Sequence, residues 1–263
     1  MRTTRMRRLV SRARAGLAVI TVAGIAAASV VCGCGRPGQP TQQRADAAPF
    51  AEQVRAVRTG TATRIVADAP LGDADWESLR GLATVRELVL RRGIADDSRA
   101  DILGSLSGVE RLVLRESPLG DAGLRAIAGL TRLSDLNVPQ AACTAEGVRA
   151  LRALPGLRLL RLGGRGVAAA GIGAAVAELS SLRSLHLIDL ELGDAELDAL
   201  ADLEGLWNLY VDGAGLSDEA WARYFRVRPR VHVHVDQAHH DRDPGRGHDA
   251  PAAVSTRSSE DRR

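Results

Sequence analysis

The residues best suited to chemistry stand near the end of the chain, where Val231-His232-Val233-His234-Val235-Asp236 is followed by His239-His240. Strict alternation puts His232, His234 and Asp236 on one side of an extended strand. Two imidazoles at i and i+2 with a carboxylate close by form a donor set for zinc or copper. The same polar side chains on a terminal edge strand would discourage pairing with other chains, and this plainer account is preferred. No metal and no cofactor is therefore expected.

The other reactive groups also have structural explanations. Cys143 is the only cysteine beyond the first 34 residues, so no disulfide can form within the rest of the chain. It stands in a slot held elsewhere by Leu119, Leu192 and Leu216, which suits a small core residue. Asp73, Asp97, Asp121, Asp194 and Asp218 recur at one point of a repeat, each at the head of a segment with helical spacing. An Asp there can accept from the first free N–H groups of a helix, worth about 1 kcal/mol, so the five are read as caps and not as a catalytic cluster. Gly163-Gly164-Arg165-Gly166 lacks the Lys-Ser/Thr of a phosphate-binding loop. With no nucleophile beside a base and no paired acid and base, the chain is read as a binding protein and not an enzyme.

The elements that must position these residues follow a 24-residue beat between about Thr61 and Val235. Val85-Leu88-Leu90, Val109-Leu112-Leu114, Leu133-Leu136-Val138, Leu157-Leu160-Leu162, Leu182-Leu185-Leu187 and Leu206-Leu209-Val211 stand at matching points. A fixed period of this size means a stacked solenoid. Leu136 to Val138 alternates as a short strand, whereas Leu124, Ile127 and Leu130 recur three residues apart, as on a short helix or 3₁₀-like turn. The span from Leu157 to Leu182 is 25 residues, with the extra one inside Gly173-Ala174-Ala175, so this return is expected to be closer to a true α-helix.

The pattern L-x-x-L-x-L followed by x-x-x-x-L-x-D-x-x-L-x-x-L-x-x-L resembles the leucine-rich repeat family, and Leu71-Gly72-Asp73, Leu119-Gly120-Asp121, Leu192-Gly193-Asp194 and Leu216-Ser217-Asp218 are similar to its bacterial 24-residue variety. The resemblance implies an α/β fold, a curved solenoid with a parallel sheet on the concave side and short helices or 3₁₀ turns on the convex side, used mainly for protein recognition. One slot departs from the pattern. Where many repeats place Asn, this chain has Ala69, Gly93, Ser117, Ala141, Arg165, Leu190 and Ala214, so a continuous polar ladder is not expected at that slot.

Side chains between the inward leucines point out of the sheet in rows. The central row reads Ile65, Val89, Val113, Asn137, Arg161, His186, Tyr210 and His234, apolar first and polar later. Beside it run Thr63, Glu87, Arg111, Asp135, Leu159, Ser184, Asn208 and His232, with Glu87-Arg111-Asp135 expected as a ladder of alternating charge; Arg91 and Arg115 flank the other side. Ordinary solvated sheet surface would look the same. As a docking face, it would be apolar with charged borders at one end and rich in His, Tyr and Asn at the other.

The first 34 residues carry six arginines and no acid, ahead of an uncharged run from Ala15 to Gly35. This is the layout of a secretory signal, and its apolar centre, Gly16 to Val31, is 16 residues long, short for an ordinary membrane span of about 20. Val31-Cys32-Gly33-Cys34-Gly35 resembles the bacterial lipobox, with Cys34 as the lipidated residue because a small residue precedes it. An uncleaved signal anchor would tether the same domain. The net charge of +3 less those six positive charges leaves −3, which gives no footprint for nucleic acid.

The expected organisation is a signal over 1–34, a flexible linker over 35–48, an N-terminal cap and about seven repeats over 49–237, and a disordered tail over 238–263. Pro49 is expected at the first position of the capping helix. The expected function is a membrane-anchored, exported protein of the cell envelope that recognises a protein partner through its sheet face. A structural protein that self-associates through its sheet edge or tail is the alternative.

Overall fold

The structure, a computed structural model, describes residues 48–92 and 94–243. The signal with Cys34, residues 35–47 of the linker, and the tail beyond Asp243 lie outside them. The chain begins with α1 (Phe50–Arg58). It then alternates β1 (Arg64–Ala67), α2 (Asp73–Leu79), β2 (Glu87–Leu90), α3 (Ala100–Gly104), β3 (Arg111–Leu114), α4 (Asp121–Ile127), β4 (Asp135–Val138) and α5 (Ala145–Ala150). Next come β5 (Leu159–Gly163), α6 (Ile172–Ala177), β6 (Ser184–Ile188), α7 (Asp194–Leu200), β7 (Asn208–Asp212), α8 (Asp218–Val227), β8 (His232–Val235) and β9 (Ala238–His239). Strands β1 to β8 pair in parallel, in sequence order, and β9 joins antiparallel to β8. The fold is an α/β leucine-rich repeat solenoid.

The alternation of β4 shows how a repeat divides its residues. Asp135 and Asn137 are half-buried while Leu136 and Val138 are 0% exposed, in keeping with the two-residue period of a strand. Leu124, Ile127, Leu130 and Leu133 close the same layer from the returning side, all fully buried. Burying one such leucine contributes about 1.5–3 kcal/mol. The return segments are α-helical in most repeats, and 3₁₀ geometry among the described residues is confined to Asp97–Arg99 and Leu151–Ala153. The three-residue spacing did not require 3₁₀ turns, because residues i and i+3 also share a face of an α-helix. The long repeat does form an α-helix, α6, but its neighbours are α-helical too.

Three of the five recurrent Asp residues cap helices, though not their own. Each of the five stands at the first position of a helical segment. The carboxylates of Asp97, Asp121 and Asp194 reach the N-terminus of the next repeat, whereas Asp73 accepts from the Arg99 guanidinium at 2.6 Å. Asp97 Oδ1 accepts from Gly120 N–H at 2.8 Å and Gly123 N–H at 2.9 Å, at the start of α4. Asp121 accepts from Thr144 N–H and its hydroxyl, both at 2.8 Å, and Asp194 from Ser217 N–H at 2.9 Å and its hydroxyl at 2.5 Å. A Cβ on Gly123 would lie 2.9 Å from Asp97 Oδ1 and one on Gly147 would lie 2.4 Å from Asp121 Oδ1, so glycine at this point makes room for the carboxylate. Ala145 and Ala169 stand where the other repeats have Asp, so no carboxylate from the preceding repeat reaches the start of α6, and there the direction reverses. Glu196 of the following repeat accepts from Gly171 and Gly173 N–H, at 2.9 and 2.7 Å. A polar ladder thus exists in this chain, on the helix side and not at the missing Asn slot. Ser117 is the exception at that slot, fully buried and accepting from Ala95 N–H at 3.0 Å.

Both ends of the sheet are closed. Pro49 precedes α1, one position earlier than expected, and its carbonyl accepts from Glu52 and Gln53 N–H. α1 buries Val54 and Val57, and the Gln53 side-chain amide pairs with the outer edge of β1, accepting from Val66 N–H at 2.8 Å and donating to Val66 O at 3.0 Å. At the far end the chain expected to leave the fold at Ala238 turns back through Asp236 and Gln237, both with positive φ, and forms β9. Two such residues match the tight turn that the right-handed twist of a hairpin favours. β8 is therefore not the edge strand that the sequence suggested.

Asp97→Ala should lower the unfolding free energy by about 1–2 kcal/mol, read as a lower urea midpoint at unchanged slope. Burial pushes the Asp121 carboxyl up, but hydrogen bonds from the Thr144 N–H and hydroxyl, with the Arg125 charge, outweigh it and hold the group below the usual carboxylate range. The Ser217 hydroxyl and N–H lower Asp194 in the same way. Folded values below the unfolded ones give stability that is fully present above about pH 4 and is lost as pH falls through the lowered values. Asp121→Asn should flatten that acid limb in a series of urea melts from pH 5 to pH 2.

Candidate functional site

The open face of the sheet carries the sequence-predicted partner residues, and strand register decides which of them meet. Val89 pairs with Val113, Val113 with Asn137, Asn137 with Arg161, Arg161 with His186, His186 with Tyr210 and Tyr210 with His234, so the central row runs as expected from β2 onward. The first repeat breaks it. Ile65 pairs with Leu88 and is 0% exposed, while Val66 and Arg64 take the places assigned to Ile65 and Thr63. The Ile65-to-Leu88 step is 23 residues, and a one-residue slip moves a side chain to the opposite face.

The N-terminal half of the face is self-contained. Val89 and Val113 are each only 7% exposed, so they offer little of the apolar surface expected of a docking patch. They lie in a row flanked by Glu87 and Arg111 on one side and Arg91 and Arg115 on the other. Glu87 pairs with Arg64 at 2.9 Å and Arg111 at 3.7 Å, and Arg91 pairs with Asp68 at 2.7 Å. Asp135 instead accepts from the Ser134 hydroxyl at 2.5 Å, so the charge ladder is Arg64-Glu87-Arg111 and not Glu87-Arg111-Asp135. Such exposed pairs contribute between about 0 and 1 kcal/mol each.

The C-terminal half has groups left to offer. Asn137 and Arg161 face each other in register, and Asn137 Oδ1 and Arg161 Nε are both shut off from solvent without a hydrogen-bond partner. Each such group costs about 1–3 kcal/mol, which a ligand that opens and engages the pair would recover. Next along the row, His186 Nε2 lies 2.8 Å from Asp212 Oδ2, and the Tyr210 ring stands 5.4 Å from His186 and 4.9 Å from His234. Asn208, one residue before the core Leu209, is half-buried on β7.

Sequence reasoning missed Trp207. It sits just before β7 and is 66% exposed, whereas Trp76 and Trp221 are 1% and 3% exposed. The Arg183 guanidinium lies 6.0 Å from its ring centroid. The signal was present, since matching positions hold Arg86, Glu110, Ser134, Arg158 and Arg183, and a large aromatic residue in a polar column has no core to fill.

Two remaining candidates are settled by burial and contact. Cys143 is 1% exposed, and burial together with the nearby Asp121 charge pushes its thiol up to about 12, so it is an inert core residue. Asp236 does not join His232 and His234, because its Oδ1 accepts from Gly213 N–H at 2.8 Å. The carboxylate beside the histidines is that of Asp243, 2.8 Å from His232 Nδ1 and 2.9 Å from His239 Nδ1.

No protein-family model and no curated protein matches the chain. Among solved structures it is similar to an internalin C2 from Listeria monocytogenes, at 22% identity and TM-score 0.47 over 60% of this chain and 64% of that one. An internalin inlF from the same organism matches at 16% identity and TM-score 0.43, over 66% of this chain and 60% of that one. The plant peptide hormone receptor RGFR1, in complex with RGF2, matches at 13% identity and TM-score 0.36, over 64% of this chain and 30% of that one. The chain thus spans less than two thirds of the length of each of them.

Val113→Asp should lower the unfolding free energy by at least ~2 kcal/mol, because it places a charge where only 7% of the side chain is accessible. Trp207→Ala should change it by less than about 0.5 kcal/mol. Urea midpoints of the two variants check both values.

Proposed function

We propose that the chain is a recognition protein, exported and tethered to a membrane of the cell envelope, that binds a protein partner with the C-terminal half of its open sheet face. The exposure of Trp207 carries this reading. In a chain with 3% aromatic residues, whose other two tryptophans are in the core, a tryptophan 66% exposed beside Asn208 and Tyr210 is the kind of side chain that anchors interfaces. Arg161 and Tyr210 add two further residue types enriched at such surfaces. The mildly acidic body speaks against nucleic acid as the partner. The tether rests on the lipobox-like sequence around Cys34 or on the same segment kept as an anchor.

Self-association through the sheet edge, the competing reading, is opposed by Gln53 on β1 and β9 on β8, which occupy both edges.

Capture of envelope proteins by the full chain should be lost in the double variant Trp207→Ala, Tyr210→Ala and kept in Arg125→Glu on the helix side. Equal capture by all three proteins would overturn the assignment of this face. Metabolic labelling with a radioactive fatty acid should mark the wild-type chain and leave Cys34→Ala unlabelled.

A further inference from the structure

We propose that His232, His234 and His239 form a zinc site at the C-terminal end of the array, with Asp243 as the residue that orients two of the three ligands. One nitrogen from each of the three rings lies within 4.8 Å of the other two. The ring centroids are 4.7 Å apart for His232 and His234, 4.8 Å for His232 and His239, and 4.1 Å for His234 and His239. Four-coordinate zinc with bonds near 2.0–2.1 Å wants its nitrogens roughly 3.4 Å apart, so side-chain shifts of about 1 Å would complete the site.

The protonation pattern suits a metal. Asp243 Oδ2 is 2.8 Å from His232 Nδ1 and 2.9 Å from His239 Nδ1, and a carboxylate at those distances takes an N–H from each ring. Both rings are thereby held in the tautomer whose Nε2 carries the lone pair. Carboxylate–histidine pairs of this kind fix ring orientation and raise ligand basicity at zinc sites. His234 Nε2 is 2.9 Å from His232 Nε2, which makes His234 the donor in the metal-free form. Moving that proton to its Nδ1 turns His234 into the third ligand with no net change in protons. Imidazole sets favour zinc and copper, and three protein ligands leave a fourth position for water.

The surroundings are built for this cluster. The alternative role for β8, guarding an exposed edge, does not apply because β9 covers it. Past β9 the chain folds back, with His240 N–H donating to Val233 O at 3.0 Å and Asp243 N–H to His240 O at 2.9 Å, which brings the Asp243 side chain to 0% exposure beneath the rings. His240, the neighbour of His239, serves a different purpose. It packs between Trp221 and Phe225 at 4.8 and 5.0 Å and so anchors the hairpin to α8. Because His232 and His234 come from β8 and His239 from β9, the ion would also pin the hairpin that ends the solenoid.

The test uses the full chain in detergent, stripped with a chelator and titrated with zinc by calorimetry, then with cobalt(II) as a visible-absorption probe. One zinc per chain and the intense d–d bands of a four-coordinate cobalt site are expected. His234→Gln should weaken zinc at least tenfold, and Asp243→Asn about 10–100-fold. His234 is half-exposed on the strand, so melting of that variant without metal should match the metal-free wild type and show that lost affinity is not lost folding. Absence of stoichiometric zinc binding by the wild type would overturn the proposal. So would undiminished binding by the triple variant His232→Gln, His234→Gln, His239→Gln, which would put the ion elsewhere.

Discussion

A strand of four residues and a helix of one or two turns cannot bury their own apolar side, and everything else in this molecule follows from that shortage. Leu112 and Leu114 are inaccessible only because Leu88 and Leu90 lie on one side of them and Leu136 and Val138 on the other. Stability is therefore held between neighbours, as in other quasi-one-dimensional arrays. The stacking fixes the strand register, and the register fixes which polar side chains share a row.

Stacking at one strand spacing also brings helix N-termini close together, with their first N–H groups unmet. Asp97, Asp121 and Asp194 answer this from the preceding repeat and Glu196 from the following one, so a cap here is also a tie between repeats. The glycines at Gly123, Gly147 and Gly173 are part of the same solution. At Gly173 a Cβ would come within 2.2 Å of the Glu196 carbonyl, so the helix could not approach with any side chain there. The long repeat keeps its tie because Gly171, at φ +77°, turns the chain so that two N–H groups point at one carboxylate.

The periodic part of this was legible in the sequence and the aperiodic part was not. Leucine spacing announced the parallel sheet, the return helices, the core role of Cys143 and the row from Val89 to His234, because each depends only on repetition. Direction across the stack was invisible, since an Asp that caps the next helix and one that caps its own occupy the same position in the string. Ile65 was misplaced because the first repeat is 23 residues, and no neighbouring repeat shows where the residue is missing. Val89 and Val113 looked like surface because strand alternation assigns a side and says nothing of how far that side is covered. Asp243 was out of reach, because it belongs to no repeat and is brought in by a two-residue turn and a two-residue strand.

The unequal halves of the sheet face follow from the same logic. Where Arg64, Glu87, Arg111, Arg91 and Asp68 satisfy one another, little remains for a partner to gain except screened charge. On β4 and β5 the register sets Asn137 beside Arg161, and Asn137 Oδ1 and Arg161 Nε are buried without a hydrogen-bond partner. Rings replace long stems over the last strands, where His186, Tyr210, His232 and His234 form one continuous contact. Rings have few rotatable bonds, so less entropy is lost when something docks against them. The end of the array that has run out of neighbours is thus the end where polar and aromatic rings gather, and the turn through Asp236 and Gln237 closes the sheet behind them with β9.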